Sequence, residues 1–190
     1  MRENTFTTLG ATNHSNHNRE ENDYYATDPI AAKLLLEVEP QLSNIWECAC
    51  GEGHLAKVFD SIGKLSKATD LIDRGYGSVE DFLLNTEQYH NGDIVTNPPY
   101  KYAQKFVEHA LNKVDNGRYV CMFLRLLFLE GQARKKLFKK FPPITVYVFS
   151  KRVNCAKNGD FITYDSGAVA YAWFVWLKGY SGNTIIKWIN

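Results

Sequence analysis

The chain has 190 residues, of which 45% are hydrophobic and 14% are aromatic, and its net charge is +1. This composition excludes collagen-like, coiled-coil and wholly disordered proteins, and the length favours one domain with a core large enough to need no disulfide or metal staple. No stretch approaches the ~18 uninterrupted apolar residues of a membrane-spanning helix. Residues 1–22 are polar, so we expect a flexible arm there rather than a signal peptide.

The small net charge hides an asymmetric distribution along the chain. Residues 1–100 carry 7 basic and 16 acidic side chains, a balance of −9, whereas residues 101–190 carry 15 and 5, a balance of +10. Between positions 131 and 159 eight side chains are basic and none is acidic. This asymmetry favours a protein with one surface that faces a polyanion. For the run 134–140 alone, a solvated basic helix is an equally good interpretation.

The hydrophobic pattern predicts alternating helices and strands. Asp28 and Pro29 introduce a helix that ends before Pro40. The elements predicted after it are a strand at 45–49, a helix at 55–62, strands at 65–72 and 93–96, a helix at 103–114, a strand at 118–124, a helix at 130–138, and strands at 144–149, 168–177 and 184–189. This alternation is typical of a mostly parallel sheet with helices on both faces. No helix separates the last two strands, so we expect a hairpin and an antiparallel edge strand.

The four cysteines do not form a metal-binding pattern. Cys48 and Cys50 are the only close pair, and neither a second pair nor clustered histidines complete a zinc site. Cys48, Cys50 and Cys121 lie in apolar strand contexts, which favours buried, reduced thiols. We therefore expect a cytoplasmic protein without a metal site.

The first candidate binding site is the turn Glu47-Cys48-Ala49-Cys50-Gly51-Glu52-Gly53. Glycines after a strand let a ligand approach the backbone closely, and the helix that follows offers free N–H groups. The turn lacks the third glycine of a dinucleotide loop and the Gly-Lys-Ser/Thr of a P-loop. Glu47 favours a positively charged cofactor over a phosphate, and a purely structural turn is the alternative.

An acidic residue at the end of the second strand is the second candidate. Asp70 lies 19 residues beyond Gly51, close to the ~20 typical of a carboxylate that binds ribose hydroxyls. Asp73 is a rival for this role. The alternative for either residue is a loop carboxylate that faces water.

The third candidate is Asn97-Pro98-Pro99-Tyr100, which directly follows an apolar strand. The prolines remove two N–H donors and fix φ, so carbonyls in this loop have few local partners. An amide, a free carbonyl and an aromatic ring thus meet at the carboxyl end of a strand, where open α/β sheets bind ligands.

These segments together resemble the class I S-adenosylmethionine-dependent methyltransferases, and among them the small adenine-specific DNA N6-methyltransferases of phages and prophages. The resemblance covers residues 24–190. It is carried by the segments 24–29 (Tyr-Tyr-Ala-Thr-Asp-Pro), 47–53, 70–77 (Asp-Leu-Ile-Asp-Arg-Gly-Tyr-Gly), 81–82 (Asp-Phe), 97–100 and 172–176 (Ala-Trp-Phe-Val-Trp), which occur in the family's order. It implies a Rossmann-like α/β fold with a mostly parallel seven-stranded sheet of order 3-2-1-4-5-7-6, in which strand 7 is antiparallel.

The resemblance also implies a role for each motif. Its cofactor is S-adenosylmethionine, and its site is in a methyltransferase domain that spans residues 23–190 without a separate target-recognition domain. The residues that it places at the cofactor are Tyr25 and Thr27 (methionine carboxylate), Glu47 (methionyl part), Gly51 and Gly53, Asp70 (ribose), Asp81 and Phe82 (adenine), and Asn97. The residues that it places at the target adenine are Asn97, Pro98, Pro99 and Tyr100, with Tyr100 stacking on the base.

The expected partner is DNA in a bacterial host cell, without contact with a membrane. We expect the backbone phosphates to be bound by Lys135, Lys136, Lys139, Lys151 and Arg152. The loop 151–167 is the one insertion with room for base contacts, through Asn154, Asn158 or Tyr164. Two alternatives remain: a methyltransferase that acts on an RNA base amine or a protein amide, and a binding module that has lost catalysis.

Overall fold

The computed structural model describes residues 25–86, 90–156, 161 and 169–190. The N-terminal arm expected at 1–22 lies outside these residues, as do Asn158 and Tyr164. None of the helices in the described part is long and apolar enough to span a membrane.

Most helices and strands lie within a few residues of their predicted positions. In chain order they are β1 (Ala26–Thr27), α1 (Ile30–Val38), β2 (Ile45–Glu47), α2 (Ala56–Ser61), β3 (Leu65–Asp70), β4 (Ser78–Val79), β5 (Ile94–Thr96), α3 (Ala103–Lys113), β6 (Tyr119–Arg125), α4 (Gln132–Lys140), β7 (Thr145–Phe149), β8 (Cys155–Ala156), β9 (Tyr171–Leu177) and β10 (Ile185–Ile189). As predicted, Asp28 precedes α1, and its carboxylate accepts a hydrogen bond from the backbone N–H of Ile30, the first residue of the helix, at 2.9 Å. The sequence did not predict the two-residue strands β1, β4 and β8.

Eight strands form one sheet in the order β10-β7-β9-β6-β5-β2-β3-β4. β9 is antiparallel to both of its neighbours, and all other pairs are parallel. If β2 to β7 are counted as strands 1 to 6 and β9 as strand 7, the order from the β4 edge is 3-2-1-4-5-7-6, as the family resemblance implies. The expected Rossmann-like topology, with its one antiparallel strand, is therefore confirmed, and β10 is added at one edge. β1 and β8 form a separate antiparallel pair.

The expected hairpin of the last two strands is wrong. β10 pairs in parallel with β7, and β9 lies between β6 and β7. The reason is burial: six of the seven residues of β9 are buried, whereas four of the five residues of β10 are exposed. The apolar β9 is covered on both sides by its position inside the sheet, while β10 can end the sheet.

Helices cover both faces of the sheet, as the alternating pattern predicted. α1 and α2 pack with Trp173 and Val175 of β9 on one face, and α3 and α4 pack with Phe174 and Trp176 on the other. Successive residues of a strand point to opposite faces, so a strand with an apolar run can serve both layers. The four cysteines are buried free thiols, as expected for Cys48, Cys50 and Cys121.

Replacing Trp173 should test how α1 is fixed to the sheet. Its ring is fully buried, and its indole N–H donates to the carbonyl of Ala31 in α1 at 2.9 Å. We expect Trp173→Ala to lower the free energy of unfolding by about 3–5 kcal/mol, measured by urea denaturation. Trp188→Ala is the matched control, because Trp188 is 69% exposed, and it should change stability by no more than ~0.5 kcal/mol. Equal losses would contradict this account of the core.

Candidate active site

A cavity of about 490 Å³ lies where the carboxyl ends of β2, β3 and β5 meet. β3 lies on one side of β2 and β5 lies on the other. The loop after β2 and the loop after β5 therefore lead away from each other and leave a crevice between them, as in other doubly wound sheets. The size is within the ~300–1,000 Å³ of small-molecule sites. Ten residues singled out in the sequence line it: Tyr25, Thr27, Glu47, Asp70, Asp81, Phe82, Asn97, Pro98, Pro99 and Tyr100.

The glycine turn after β2 has a backbone that other residues would strain. Gly51 has φ +53° and Gly53 has φ +80°, in the left-handed region that glycine adopts most readily. A Cβ at Gly53 would lie 2.5 Å from ring atoms of Tyr76. Among the described residues of this turn, Cys48, Ala49 and Cys50 line the cavity. Both glycines are buried, and neither of them lines the cavity. Their part is thus to shape the turn.

Asp70 both fixes the turn and faces the cavity. One of its carboxylate oxygens accepts from the backbone N–H of Gly51 at 2.8 Å, and the other accepts from that of Ile72 at 3.0 Å. Each carboxylate oxygen has a second lone pair, so Asp70 can also accept from a ligand hydroxyl. Its rival Asp73 is exposed, accepts from the backbone N–H of Gly75 and lies outside the described lining of the cavity.

Glu47 is a buried carboxylate in the wall of the cavity. Its side chain is 2% exposed, and its Oε2 atom has no hydrogen-bond partner among the described residues. Burial raises the pKa of Glu47 well above its ordinary value; the backbone N–H of Ala56 opposes this shift, and the charge of Asp70 adds to it. An acceptor held in this way is suited to a cationic group, whose charge would offset the cost of burying the carboxylate.

Asp81 and Phe82 form another part of the wall. The Asp81 carboxylate accepts from the backbone N–H of Leu83 at 2.9 Å. Phe82 is 2% exposed and its ring packs edge-on against Trp46, with 5.2 Å between centroids. Phe82 is therefore a rigid apolar surface at the base of the crevice, next to a carboxylate that retains acceptor capacity.

The orientation of the Asn97 amide is fixed by β1. Its nitrogen donates to Thr27 Oγ1 at 2.7 Å and to the carbonyl of Tyr25 at 3.4 Å. A carbonyl can only accept, so these bonds assign the amide nitrogen to this side. The opposite atom, Asn97 Oδ1, is buried without a partner in the described part of the chain. Asn97 therefore presents an acceptor at the cavity, and Thr27 positions it.

The two prolines of the same loop have different surroundings. The backbone N–H of Tyr102 donates to the Pro99 carbonyl at 2.8 Å. No hydrogen bond to the Pro98 carbonyl is found within the described residues. The sequence predicted carbonyls with few local partners in this loop. The Pro98 carbonyl fits this prediction, and the Pro99 carbonyl does not.

Tyr100 is anchored at its hydroxyl and covered on its ring. The hydroxyl lies 3.7 Å from Cys155 Sγ, and burial, together with Cys155 and Tyr171, raises the pKa of Tyr100 well above its usual value. The guanidinium carbon of Arg125 lies 4.6 Å from the ring centroid. A base that stacks on Tyr100 must use the opposite ring face or displace Arg125.

The basic residues predicted to bind phosphates are not all on one surface. Lys151 and Arg152 are exposed and directly follow β7, which runs in the same direction as β5 and β6, so they lie at the same sheet edge as the cavity. Lys135, Lys136 and Lys139 belong to α4, and Lys135 and Lys139 are exposed. This helix connects β6 to β7, so it runs from the edge with the cavity back toward the opposite edge of the sheet. An α-helix rises ~1.5 Å per residue, so Lys139 lies about 10 Å along the helix axis from the start of α4.

The sequence analysis missed several residues near the site, among them three basic residues and a tyrosine. Arg74, Lys101 and Tyr102 line the cavity, and Arg125 contacts Tyr100. Each ends a strand or follows one closely: β3 for Arg74, β5 for Lys101 and Tyr102, and β6 for Arg125. The position of polar residues just after a strand was the available signal, because parallel strands end at one edge.

Comparison with known proteins identifies the fold. No family model matches the sequence, and no curated protein does. A proposed class I S-adenosylmethionine-dependent methyltransferase from Listeria monocytogenes has a similar structure: it is 14% identical, with a TM-score of 0.62, over 91% of this chain and 68% of that chain. A proposed RNA methyltransferase from Pyrococcus horikoshii is 11% identical, with a TM-score of 0.59, over 85% of this chain and 91% of the other.

A third similar structure is a methyltransferase subunit of a type I restriction-modification system from Streptococcus thermophilus. It is 13% identical, with a TM-score of 0.62 over 86% of this chain. The match spans 47% of that subunit, about half its length. Identities this low establish the fold alone. The chain has the Rossmann-like fold of class I methyltransferases.

Two glycines with positive φ provide a test of the turn. Gly63 has φ +68° with open space where a Cβ would be, whereas Gly53 has φ +80° and the Tyr76 ring in the way. We expect Gly63→Ala to lower the free energy of unfolding by about 1–2 kcal/mol, the usual cost of a left-handed residue. Gly53→Ala should cost distinctly more, as measured by urea denaturation. If the two losses were the same, contact with Tyr76 would not constrain the turn.

Proposed function

We propose that this protein transfers a methyl group from S-adenosylmethionine to the exocyclic N6 amine of adenine in DNA, and that residues 23–190 form its methyltransferase domain. The observation that carries the proposal is Asn97 Oδ1, a buried acceptor without a partner in the described chain, held at the cavity by Thr27 and Tyr25. An amine with two N–H bonds is the kind of group that such an acceptor takes.

The residues in the acidic part of the cavity fit this cofactor. S-adenosylmethionine supplies an electrophilic methyl group on a positively charged sulfur, and it also carries an ammonium group. Glu47, with a buried and unpartnered Oε2 among the described residues, would hold the positively charged methionyl part. Asp70, which keeps acceptor capacity beside its two backbone bonds, would accept from the ribose hydroxyls.

The remaining cofactor contacts follow from the same wall. Phe82 would pack on the adenine ring of the cofactor, and Asp81 would accept from its amino group. Gly51 and Gly53 would shape the turn whose residues Cys48 to Cys50 face the ligand. Tyr25 and Thr27 would approach the methionine carboxylate, a role that Thr27 combines with its bond to Asn97.

Asn97 and Pro98 supply the chemistry at the target base. The lone pair of an adenine amine is delocalised into the ring, which makes it a poor nucleophile. Acceptors at both N–H bonds, Asn97 Oδ1 and the Pro98 carbonyl, draw the nitrogen toward tetrahedral geometry and localise its lone pair. No strong base is needed, because the amine proton becomes acidic only after the new bond has formed. Positioning and electrostatics therefore provide the rate enhancement.

The target base must leave the DNA stack to reach this acceptor. Extrusion costs a few kcal/mol, and stacking on Tyr100 would recover about 1–3 kcal/mol. The basic residues at the cavity edge, Lys151 and Arg152, support a nucleic acid as substrate over a protein amide. An assay of labelled-methyl transfer that offers duplex DNA, RNA and protein separately tests this choice. Transfer to RNA or protein but not to DNA would refute the DNA proposal.

Asn97→Ala should separate catalysis from cofactor binding. Loss of one of two acceptors on the amine should lower turnover by about 10²–10³-fold, while the affinity for S-adenosylhomocysteine, measured by calorimetry, should change much less. Asn112→Ala is the control, since Asn112 is exposed near the end of α3, and its turnover should match that of the unaltered protein. Turnover of Asn97→Ala close to that level would refute the assigned role.

The raised pKa of Glu47 predicts that cofactor affinity depends on pH. In the free protein the carboxyl group keeps its proton to a higher pH than usual, whereas a bound cation favours the ionised form. Binding at low pH must therefore release a proton. We expect the affinity for S-adenosylmethionine to rise by up to about tenfold per pH unit until the pKa of the free protein is passed, and then to level off.

Glu47→Gln is the control for this pH dependence. The amide does not ionise, so the variant should bind more weakly at high pH, and the part of the pH dependence due to Glu47 should vanish. Calorimetry in buffers of different ionisation enthalpy counts the protons released. The same pH profile in both proteins would show that Glu47 does not face the cationic group.

A further inference from the structure

We propose that Arg125 binds the phosphate group beside the extruded target nucleotide, so that Tyr100 and Arg125 together form the binding site for this nucleotide. This inference rests on the proposed function and names a residue that the sequence motifs do not include. Its basis is the position, contacts and charge environment of Arg125.

Arg125 lies at the correct level of the sheet for this role. It is the last residue of β6, which is parallel to β5 in the register Thr96 to Met122. β5 ends at Thr96, and the Asn97–Tyr100 loop follows it, while β6 continues for three residues beyond Met122, so Arg125 lies at the same end of the sheet as this loop. Neighbouring strands are about 4.8 Å apart, so the side chain of Arg125 can reach the loop, and it does so at Tyr100.

The guanidinium of Arg125 is held in place but retains its hydrogen-bonding capacity. It is exposed, and its central carbon lies 4.6 Å from the Tyr100 ring centroid. Within the described residues it makes no hydrogen bond or ion pair. Stacking on an aromatic ring fixes the plane of the guanidinium while its N–H donors stay available. A planar donor set of this kind matches the two oxygens of a phosphate.

The location of Arg125 indicates which ligand these donors meet. Tyr100 lines the cavity, whereas Arg125 contacts Tyr100 from outside the described lining. A ligand of exposed Arg125 therefore lies beside Tyr100 and outside the cavity lining, where the backbone of a nucleotide whose base stacks on Tyr100 would be. The cofactor, which the acidic residues of the cavity are suited to hold, lies deeper in the crevice.

The charges at this edge of the sheet support an anionic ligand. Lys101 follows β5, Arg125 ends β6, and Lys151 and Arg152 follow β7, so cations succeed one another along the edge. The acidic residues that line the cavity, Glu47, Asp70, Glu80 and Asp81, belong to the part built on β2 to β4. The boundary between these two parts is at β5, next to Arg125.

The test measures binding and methylation of a DNA duplex by the full-length protein. We expect Arg125→Gln to raise the dissociation constant and the KM for DNA by about 10- to 100-fold, as for a lost charge-assisted hydrogen bond. The slope of log affinity against log salt should become shallower by about 0.9, the contribution of one phosphate contact. Turnover at saturating DNA and the affinity for S-adenosylhomocysteine should change little.

Two further variants distinguish a phosphate contact from other roles. Arg125→Lys keeps the charge and loses the planar fork, so it should keep the salt slope and recover only part of the affinity. Arg118→Gln removes an arginine just before the opposite end of β6, and it should leave DNA affinity and salt slope unchanged. An unchanged slope in Arg125→Gln, or a loss equal to that of Arg118→Gln, would overturn the proposal.

Failure of the proposed function gives a different result. If the unaltered protein binds duplex DNA without methylating it, the proposed reaction is wrong, and the binding measurements still decide the role of Arg125. If the unaltered protein does not bind DNA, both proposals fail. If Arg125→Gln loses turnover at saturating DNA while its salt slope stays the same, Arg125 supports Tyr100 and does not bind a phosphate.

Discussion

The buried carboxylate of Asp93 joins three strands, β2, β5 and β6, that each carry part of the site to the same edge of the sheet. It is 2% exposed and accepts from the backbone N–H of Ser43 and from that of Tyr119, both at 2.8 Å. These bonds connect the segments that enter β2, β5 and β6 at their amino ends. With this end fixed, the opposite ends of the strands bring the Glu47 turn, the Asn97 loop and Arg125 to one edge. Asp93 is at the other end of β5 from the cavity, so it acts on the site through strand alignment.

Because of the sheet topology, the acidic and basic halves of the sequence lie on different sides of the molecule. β2, β3 and β4 come from the acidic first hundred residues, and β6, β7, β9 and β10 come from the basic remainder. Because β5 lies between these groups in the sheet, the acidic residues that line the cavity are on the side of β2 to β4, where Arg74 also lines it, and Arg125, Lys151 and Arg152 are on the side of β6 and β7. A cationic cofactor and an anionic nucleic acid can then approach the same edge from opposite sides.

Two acceptor oxygens in the cavity wall have no hydrogen-bond partner among the described residues. Burying an unsatisfied acceptor costs about 1–3 kcal/mol, so a ligand that donates to Glu47 Oε2 or Asn97 Oδ1 would gain free energy from each bond. The rest of each residue is well held: Glu47 accepts from Ala56, and the Asn97 nitrogen donates to β1 and the residue before it. The free hydrogen-bonding capacity of both residues is thus confined to the atoms that a ligand could bind, which is the expected arrangement for a preorganised binding site.

The sequence by itself determined the order of the main elements, the sheet topology through its family resemblance, and most residues of the cavity wall. These follow from local signals: apolar runs predict strands, and polar residues after them predict a site at the carboxyl edge. The short strands β1 and β8 carry no such signal, because two residues have no periodicity, yet β1 orients the Asn97 amide. Only the tertiary structure decided that β10 pairs with β7 rather than β9, since pairing depends on which strand must be buried. It also decided the separation of Lys139 from Lys151 and the contact of Arg125 with Tyr100, because distances between elements follow from packing and not from spacing along the chain.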